Sequence, residues 1–370
     1  MISALREVDL NVTDRCNLTC EYCSVLVTPV TDRTPELSLE RIERLFEEFD
    51  ELGVQLVRIV GGEPFVRKDI GPILRSAGHR RFRTSVLTNG TALRREHVDL
   101  IGSLPSAPSI AFSLDGVTAE RHARSRGCPS AFDRTVRMAD YCTVRGVEHA
   151  MMTVVTAEAV GHLRALVEFA AQHGMQRIRF ILLGFTGKAV RSPRAFPTYR
   201  AWSEAIVALT RFLRDHGDLP RTSVLFPHED PVPLELYQPL EQAGLLEELW
   251  GVWGIPWRLH GGPLGAGRSW CLAGKHNLTI LPNGDAFGCD LMRNIPELKA
   301  GNILDCTVRE VFEGSAVLDR LRNAPLVHGC ASFEDGSQTF SCGQCRAGTH
   351  ALRASSAPSD GRLHRAEAAR

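Results

Sequence analysis

Cys16-Asn17-Leu18-Thr19-Cys20-Glu21-Tyr22-Cys23 decides how this chain is read. Three thiols are separated by three and then two residues, directly after a short apolar run that predicts a strand over 6–13. One loop of this spacing can wrap three thiolates around three irons of a cubane iron–sulfur cluster, leaving the fourth iron open to a small molecule. The alternatives are three unrelated thiols or structural zinc, which takes four ligands, usually as two separated pairs.

Downstream of the loop, strand and helix patterns alternate. Ser38 is placed to cap a helix whose apolar positions Leu39, Ile42, Leu45, Phe46, Phe49 and Leu52 follow helical spacing. Leu56–Val60 reads as a strand ending in Gly61-Gly62-Glu63-Pro64. Residues 85–87 end in Thr88-Asn89-Gly90, and 109–114 end in Asp115-Gly116. Strands five and six are expected over 151–155 and 178–183, with helices near 69–77, 92–103, 131–145 and 160–173. Six strands alternating with helices predict a parallel α/β architecture whose functional loops gather at the carboxyl ends of the strands. Periodicity alone does not separate an open sheet from a barrel.

The chain has 370 residues, with acidic and basic residues balanced at 43 each, so bulk charge does not argue for nucleic acid or an acidic membrane surface, and neither is expected as a partner. No apolar stretch is long enough to span a bilayer, and the first residues lack the basic start and apolar core of an export signal. Eleven cysteines in so long a chain, grouped in ligand-like spacings, fit a reduced cytoplasmic setting better than a disulfide framework.

Cys-x3-Cys-x2-Cys with an aromatic before the last cysteine resembles the signature of the radical S-adenosylmethionine (SAM) superfamily. The resemblance implies a partial (β/α)6 TIM-like barrel over 1–215 and a 4Fe–4S cluster held by Cys16, Cys20 and Cys23. SAM would chelate the fourth iron, and the reduced cluster would cleave it to methionine and a 5′-deoxyadenosyl radical that takes a hydrogen atom from substrate. It also implies SAM contacts: Gly62 and Glu63 for the amino group, Ser113 and Asp115 for ribose and carboxylate, Arg126 for the carboxylate, Asn89 for the cofactor, and Tyr22 beside the adenine. Read as residues alone, these positions have plainer alternatives. Gly-Gly-Glu-Pro is a strand-to-loop turn, Asn89 an Asx-type turn, and Tyr22 rim packing. The segment His122-Ala123-Arg124-Ser125-Arg126-Gly127 reads as a solvated basic loop, in which Arg124 rivals Arg126.

A second cysteine system begins late. Cys271 and Cys289 flank Leu281-Pro282-Asn283-Gly284-Asp285, a hairpin turn signal, and Cys342-Gly343-Gln344-Cys345 follows. Four thiolates suit a fully ligated 4Fe–4S cluster or a tetrathiolate zinc. The pattern resembles the SPASM/twitch extension of radical SAM enzymes, a β-hairpin plus helix, expected over 269–350. A bridging segment is expected over 216–268 and a flexible tail over 351–370. The full SPASM pattern asks for more cysteines than follow Cys306, so the shortened twitch form with one auxiliary cluster is the expectation, with Cys330 able to replace one of the late pair. Cys128 and Cys306 look spare, and Cys142 reads as core packing.

A fully ligated auxiliary cluster suits electron acceptance. The expected reaction is therefore net oxidation of a small molecule, similar to that of the radical SAM dehydrogenases of aminocyclitol biosynthesis, with an external one-electron reductant of flavodoxin or ferredoxin type. Alternatives are maturation of a ribosomally made peptide (crosslinking or epimerisation), sugar epimerisation, or a non-catalytic iron–sulfur carrier. The first strand begins close to Met1, so no fused peptide-recognition domain is expected ahead of it. His228-Glu229-Asp230 offers general-base groups or a polar turn. Trp250, Trp253, Trp257 and Trp270 could wall a substrate pocket or pack between domains.

Overall fold

The computed structural model of the chain describes residues 4–25, 27–32, 34–184, 186–192, 195–225, 234–255 and 273–323. Its parallel strands are β1 (Glu7–Asn11), β2 (Leu56–Val60), β3 (Arg83–Thr88), β4 (Ser109–Ser113), β5 (His149–Val155), β6 (Arg177–Leu182) and β7 (Arg221–Leu225). Between them run α1 (Leu39–Leu52), α2 (Ile70–Ala77), α3 (Arg95–Gly102), α4 (Ala119–Arg126), α5 (Ala131–Arg145), α6 (Leu163–Gln172) and α7 (Tyr199–Asp215). The C-terminal part adds β8 (Asn277–Ile280), β9 (Asp285–Phe287) and β10 (Lys299–Asn302), then helix Val308–Gly314.

All ten strands form one sheet in the order β10-β9-β8-β1-β2-β3-β4-β5-β6-β7. Its two edges do not meet, so this is the expected open, partial barrel and not a closed ring. The expected hairpin is present: β8 and β9 pair antiparallel, and Gly284 takes a φ of 87° in the turn. The helices shield the outer face, and α1 shows why. Ser38 caps it by accepting from Arg41 N, while Ile42, Leu45, Phe46 and Phe49 are fully buried on one face.

Two features differ from the sequence reading. Arg221–Leu225, read as part of the bridge, is a seventh parallel strand paired with β6 from Arg177↔Arg221 to Ile181↔Leu225. Trp202 then holds the next helix, Leu234–Gln242, through Nε1–H donated to Glu235 O at 2.9 Å. The C-terminal hairpin also joins the barrel sheet directly: β8 lies parallel to β1, from Glu7↔Asn277 to Leu10↔Ile280. A buried clasp reinforces this junction. Arg293, its side chain only 3 % exposed, donates to Asn11 Oδ1 (2.6 Å) and Asp290 Oδ1 (3.1 Å) and pairs with Asp14.

Removing that guanidinium leaves two carboxylates facing one another without a cation. Arg293→Met is expected to cost about 2–3 kcal/mol, less than a fully buried pair because both carboxylates retain some water. Urea unfolding measures it. Adding Asp14→Asn and Asp290→Asn to that variant should restore most of the loss, and no recovery would refute the clasp.

Candidate active site

The three cysteines of the N-terminal loop line one cavity of about 790 Å³ that runs along the inner face of β1 to β6 and opens past their carboxyl ends. Gly61, Gly62, Asn89, Ser113 and Arg126 line it too, and so does Cys289, brought in by the β9 hairpin. Below them the lumen carries charged side chains among apolar ones, where a closed (β/α)8 barrel packs layers of branched aliphatics. Asp9 accepts from Arg58 Nη1 at 3.0 Å, and Arg58 also pairs with Glu7.

The loop is held from several sides. Arg15 makes a two-pronged pair with Glu36 at 2.9 and 3.0 Å. Buried Arg67 donates to the carbonyls of Val12 (2.8 Å) and Leu37 (2.7 Å). Gly62 N–H donates to Thr13 O at 2.7 Å and Glu63 N–H to Arg15 O at 2.9 Å, continuing the β1–β2 ladder up to the cysteines. The two glycines therefore serve close approach of backbone to backbone: a Cβ on Gly61 would lie 2.3 Å from Thr13 O, and one on Gly62 2.2 Å from Arg15 O.

Glu63 is placed differently from the expectation. Its carboxylate is fully buried and accepts from Thr88 Oγ1 (2.7 Å), Asn89 N (2.7 Å) and Phe65 N (3.1 Å). It locks the ends of β2 and β3 together, and the Gly61–Gly62 segment is what faces the cavity. Asn89 combines both of its readings: its Oδ1 accepts from Thr91 N in an Asx turn, and its Nδ2 reaches Asn17 Oδ1 (3.0 Å) and Cys16 Sγ (3.8 Å).

The segment read as a basic loop is helix α4, capped by the Thr118 side chain. Helical spacing separates its arginines. Arg124 is exposed and pairs with Glu120 and Glu158, whereas Arg126 is turned inward. Arg126 Nε and Nη2 donate to the Asp115 carboxylate at 2.6 and 3.0 Å, leaving Nη1 directed at Cys20 Sγ, 3.9 Å away. Asp115 also accepts from Ser125 Oγ (2.9 Å), Val154 N (3.0 Å) and the Tyr22 hydroxyl. Burial pushes the Asp115 carboxyl up, but the Arg126 guanidinium and these hydrogen bonds outweigh it and hold the group below its usual range. Asp115 is thus the anchor of Arg126 and Tyr22, and Arg126 and Ser113 are the members of that motif that reach the cavity. Tyr22 packs its ring 5.5 Å from the Arg126 guanidinium carbon.

Burial pushes the Cys16 thiol up to about 12 and raises Cys20 as well, so these sulfurs ionise only against a compensating positive charge. A bound cluster would supply one, and Arg126 beside Cys20 contributes another. Three thiols that line one cavity and interact with one another electrostatically, with the Arg126 guanidinium beside Cys20, are a donor set that suits a cluster with one open corner. Cys142 lies in the core as expected, Cys128 sits near Ser130 Oγ, and Cys306 is exposed. Trp250 is exposed, and Trp253 donates to Thr210 Oγ1 at 3.0 Å, so both pack outside the cavity. Cys271, Cys330, Cys342, Cys345, His228, Glu229, Asp230, Trp257 and Trp270 lie outside the described residues. The clasp around Arg293 went unseen in the sequence because its partners lie far apart along the chain. Asn17, inside the cysteine motif, donates to Thr91 Oγ1 at 2.7 Å, and only its position hinted at that part.

Two buried titrating groups oppose one another in stability. Burial pushes the Glu63 carboxyl up to about 7, so its contribution is fully present below its ordinary value near 4.5 and is lost as pH rises through 7. Burial pushes His122 down to about 4, and its Nε2 has no partner among the described residues. Its contribution is present above its ordinary value of 6.5 and is lost as pH falls through 4. Between roughly pH 4.5 and 6.5 the two slopes offset one another in the metal-free protein. His122→Gln should make the urea midpoint fall with rising pH across that window, and Glu63→Gln should make it rise. Flat profiles in both variants would refute the assignment.

Comparison with known proteins agrees with this geometry. Residues 10–170 match the Radical SAM superfamily and residues 271–346 match SPASM, an iron–sulfur cluster-binding domain. PqqA peptide cyclase of Ruegeria pomeroyi is 27 % identical over 94 % of this chain and 84 % of its own length. AdoMet-dependent heme synthase of Oleidesulfovibrio alaskensis is 25 % identical over 93 % of this chain and 83 % of its own. The crystal structure of Streptococcus suis SuiB bound to its precursor peptide SuiA shares the fold, with a TM-score of 0.68 at 16 % identity over 93 % of this chain and 71 % of that one. No helix among the described residues is long and apolar enough to cross a membrane.

Proposed function

From a chain that carries a radical SAM domain followed by a SPASM iron–sulfur domain, we propose an enzyme that abstracts a hydrogen atom from a carbon of a peptide substrate and oxidises it. The observation that carries this reading is the shared cavity: Cys16, Cys20 and Cys23 line it together with Cys289 of the C-terminal part. When bound there, a 4Fe–4S cluster and SAM supply the 5′-deoxyadenosyl radical.

The chain's own residues divide the remaining work. Cys16, Cys20 and Cys23 would hold the cluster. Arg126 Nη1 is the donor left free by Asp115 to meet a carboxylate or steady the Cys20 thiolate. Main-chain groups of Gly61 and Gly62, with Ser113 and Asn89, give polar contacts for the amino acid and ribose parts of SAM. Cys289, with Cys271, Cys342 and Cys345, would hold an auxiliary cluster that takes the electron left on substrate. The charged side chains of the lumen around Asp9 and Arg58 suit a substrate with hydrogen-bonding groups. A reduced, cytoplasmic setting and an external one-electron reductant complete the reading.

A peptide is tested first because PqqA peptide cyclase aligns with 94 % of this chain; AdoMet-dependent heme synthase aligns with 93 %, so a small molecule is the competing reading. Anaerobically reconstituted protein, given SAM, reductant and peptides encoded beside its gene, should form 5′-deoxyadenosine and a peptide lighter by two hydrogens. Turnover of aminosugars, with no peptide modified, would replace the peptide by a small molecule. Absence of 5′-deoxyadenosine under all conditions would overturn the enzyme reading.

A further inference from the structure

The cysteine loop has two faces. Cys20 and Tyr22 line the inner cavity, and Glu21 between them lines a second cavity of about 580 Å³ on the other side. The hydrogen-bonded group of Tyr22, Asp115, Ser125 and Arg126 stands between the two spaces: Asp115 and Ser125 face outward, Tyr22 and Arg126 inward. A ligand in the outer cavity is therefore close to the cluster loop yet shut off from the space where SAM and substrate would react.

Charge is distributed unevenly around this outer face. Arg124 is neutralised by Glu120 and Glu158, and Arg126 by Asp115. The side chains of Arg121 and Arg191, which line the cavity, have no ion pair or hydrogen bond among the described residues, and neither does that of Lys188, on the same short helical turn as Arg191 (Gly187–Arg191). That turn rides on the cysteine loop itself: Lys188 N–H donates to Cys23 O at 3.0 Å, and a Cβ on Gly187 would lie 2.5 Å from the same carbonyl. Glu21 is the acidic side chain of the cavity without a cation of its own. Three cations without an ion-pair partner thus stand near the back of the loop, against the single unpaired acid Glu21.

Electron delivery needs closeness to the cluster but no bond to it, and it must not block the reaction cavity. Accepting the cluster reading above, we propose that this outer face, through Arg121, Lys188 and Arg191, docks an acidic one-electron carrier protein that reduces the cluster held by Cys16, Cys20 and Cys23. The step transfers one electron: a flavin hydroquinone carrier becomes the semiquinone, the cluster gains that electron, and no covalent bond forms or breaks. Complementary charge speeds such encounters and makes them sensitive to salt.

The test uses reconstituted holoenzyme and flavodoxin as the probe. Binding of oxidised flavodoxin is measured by calorimetry, and cluster reduction by flavodoxin hydroquinone is followed by visible bleaching. Photoreduced 5-deazariboflavin, which needs no docking surface, serves as the parallel reductant. Arg121→Glu with Arg191→Glu is expected to weaken flavodoxin binding and slow its reduction of the cluster by about tenfold or more at low ionic strength, with the difference shrinking as salt is added. Reduction by deazariboflavin should match the parent, which shows that the variant is folded and loaded. Arg44→Glu with Arg75→Glu, on α1 and α2, makes the same charge change elsewhere and should have little effect. Equal flavodoxin binding and reduction in parent and variant, or equal losses in the α1/α2 control, would overturn the docking surface. Phosphate binding by the parent that is lost in the variant, with flavodoxin binding unchanged, would make the cavity a small-anion site and overturn it too. A parent protein that deazariboflavin cannot reduce would overturn the cluster reading, and the docking surface with it.

Discussion

Cys20→Ala, reconstituted anaerobically with iron and sulfide, is expected to lose about four irons per chain and to form 5′-deoxyadenosine at least a hundredfold more slowly than the parent, roughly the upper bound for losing a mere outer partner. The loss follows from stoichiometry. Three sulfurs of the N-terminal loop line the cavity, and removing one leaves the loop too few thiolates to retain a cubane. Arg126 Nη1 simultaneously loses the sulfur it faces at 3.9 Å. Cys142→Ala is the informative contrast. Cys142 is fully buried on α5 within the core, and burial pushes its thiol up to about 12. That variant should lose about 1 kcal/mol of packing and keep its full iron content. Iron analysis with product quantification separates the two, and a Cys20 variant that retains both iron and activity would remove the basis of the site.

Gly62→Ala is the second large effect. The added methyl would sit 2.2 Å from Arg15 O and 2.6 Å from Arg15 C. Both are backbone atoms of the strand end that enters the cysteine loop, so no side chain can swing away to relieve the clash. Separation of these strands would break the Gly62 N–Thr13 O and Glu63 N–Arg15 O hydrogen bonds. The expected cost is about 3 kcal/mol or more, together with a cysteine loop displaced from its cluster geometry. Gly53→Ala provides the calibration. Gly53 has a φ of 71° at the end of α1 with nothing within 4 Å of an added Cβ, so only the left-handed backbone penalty of about 1 kcal/mol applies there. Urea midpoints and iron content of the two variants should differ accordingly, and equal effects would refute the close-approach argument.

These contrasts show what the sequence made legible. Strands such as Leu56–Val60 and Ser109–Ser113 announced themselves because their burial alternates or saturates in short runs that end in polar, glycine-rich turns. The cysteine motif carries its chemistry in spacing alone. Helix α4 was hidden because three arginines and a glutamate erase any apolar periodicity; it is held by the Thr118 cap and by buried His122, Ser125 and Arg126. That same helix decides between Arg124 and Arg126, a choice that spacing could not make. Glu63 and Asp115 were legible as important carboxylates but not as internal anchors, since the donors they accept from arrive from other strands. Strand β7 was obscured by the proline-rich stretch around it and reveals itself only through pairing with β6.

The position of β8 beside β1 bears on how the protein is made. The ribosome completes the first strand long before its neighbour at 277–280 emerges, so one side of β1 stays without its backbone partners through most of translation. A nascent intermediate that already displays the cysteine loop thus presents an open strand edge, the feature that invites association between chains. Iron delivered during synthesis would meet a half-walled loop, whereas iron delivered after release would meet one already braced by Arg293 and Asn294, the latter donating to Ser24 O at 2.6 Å. The loop that would hold the metal centre is therefore fully braced only once the polypeptide is complete.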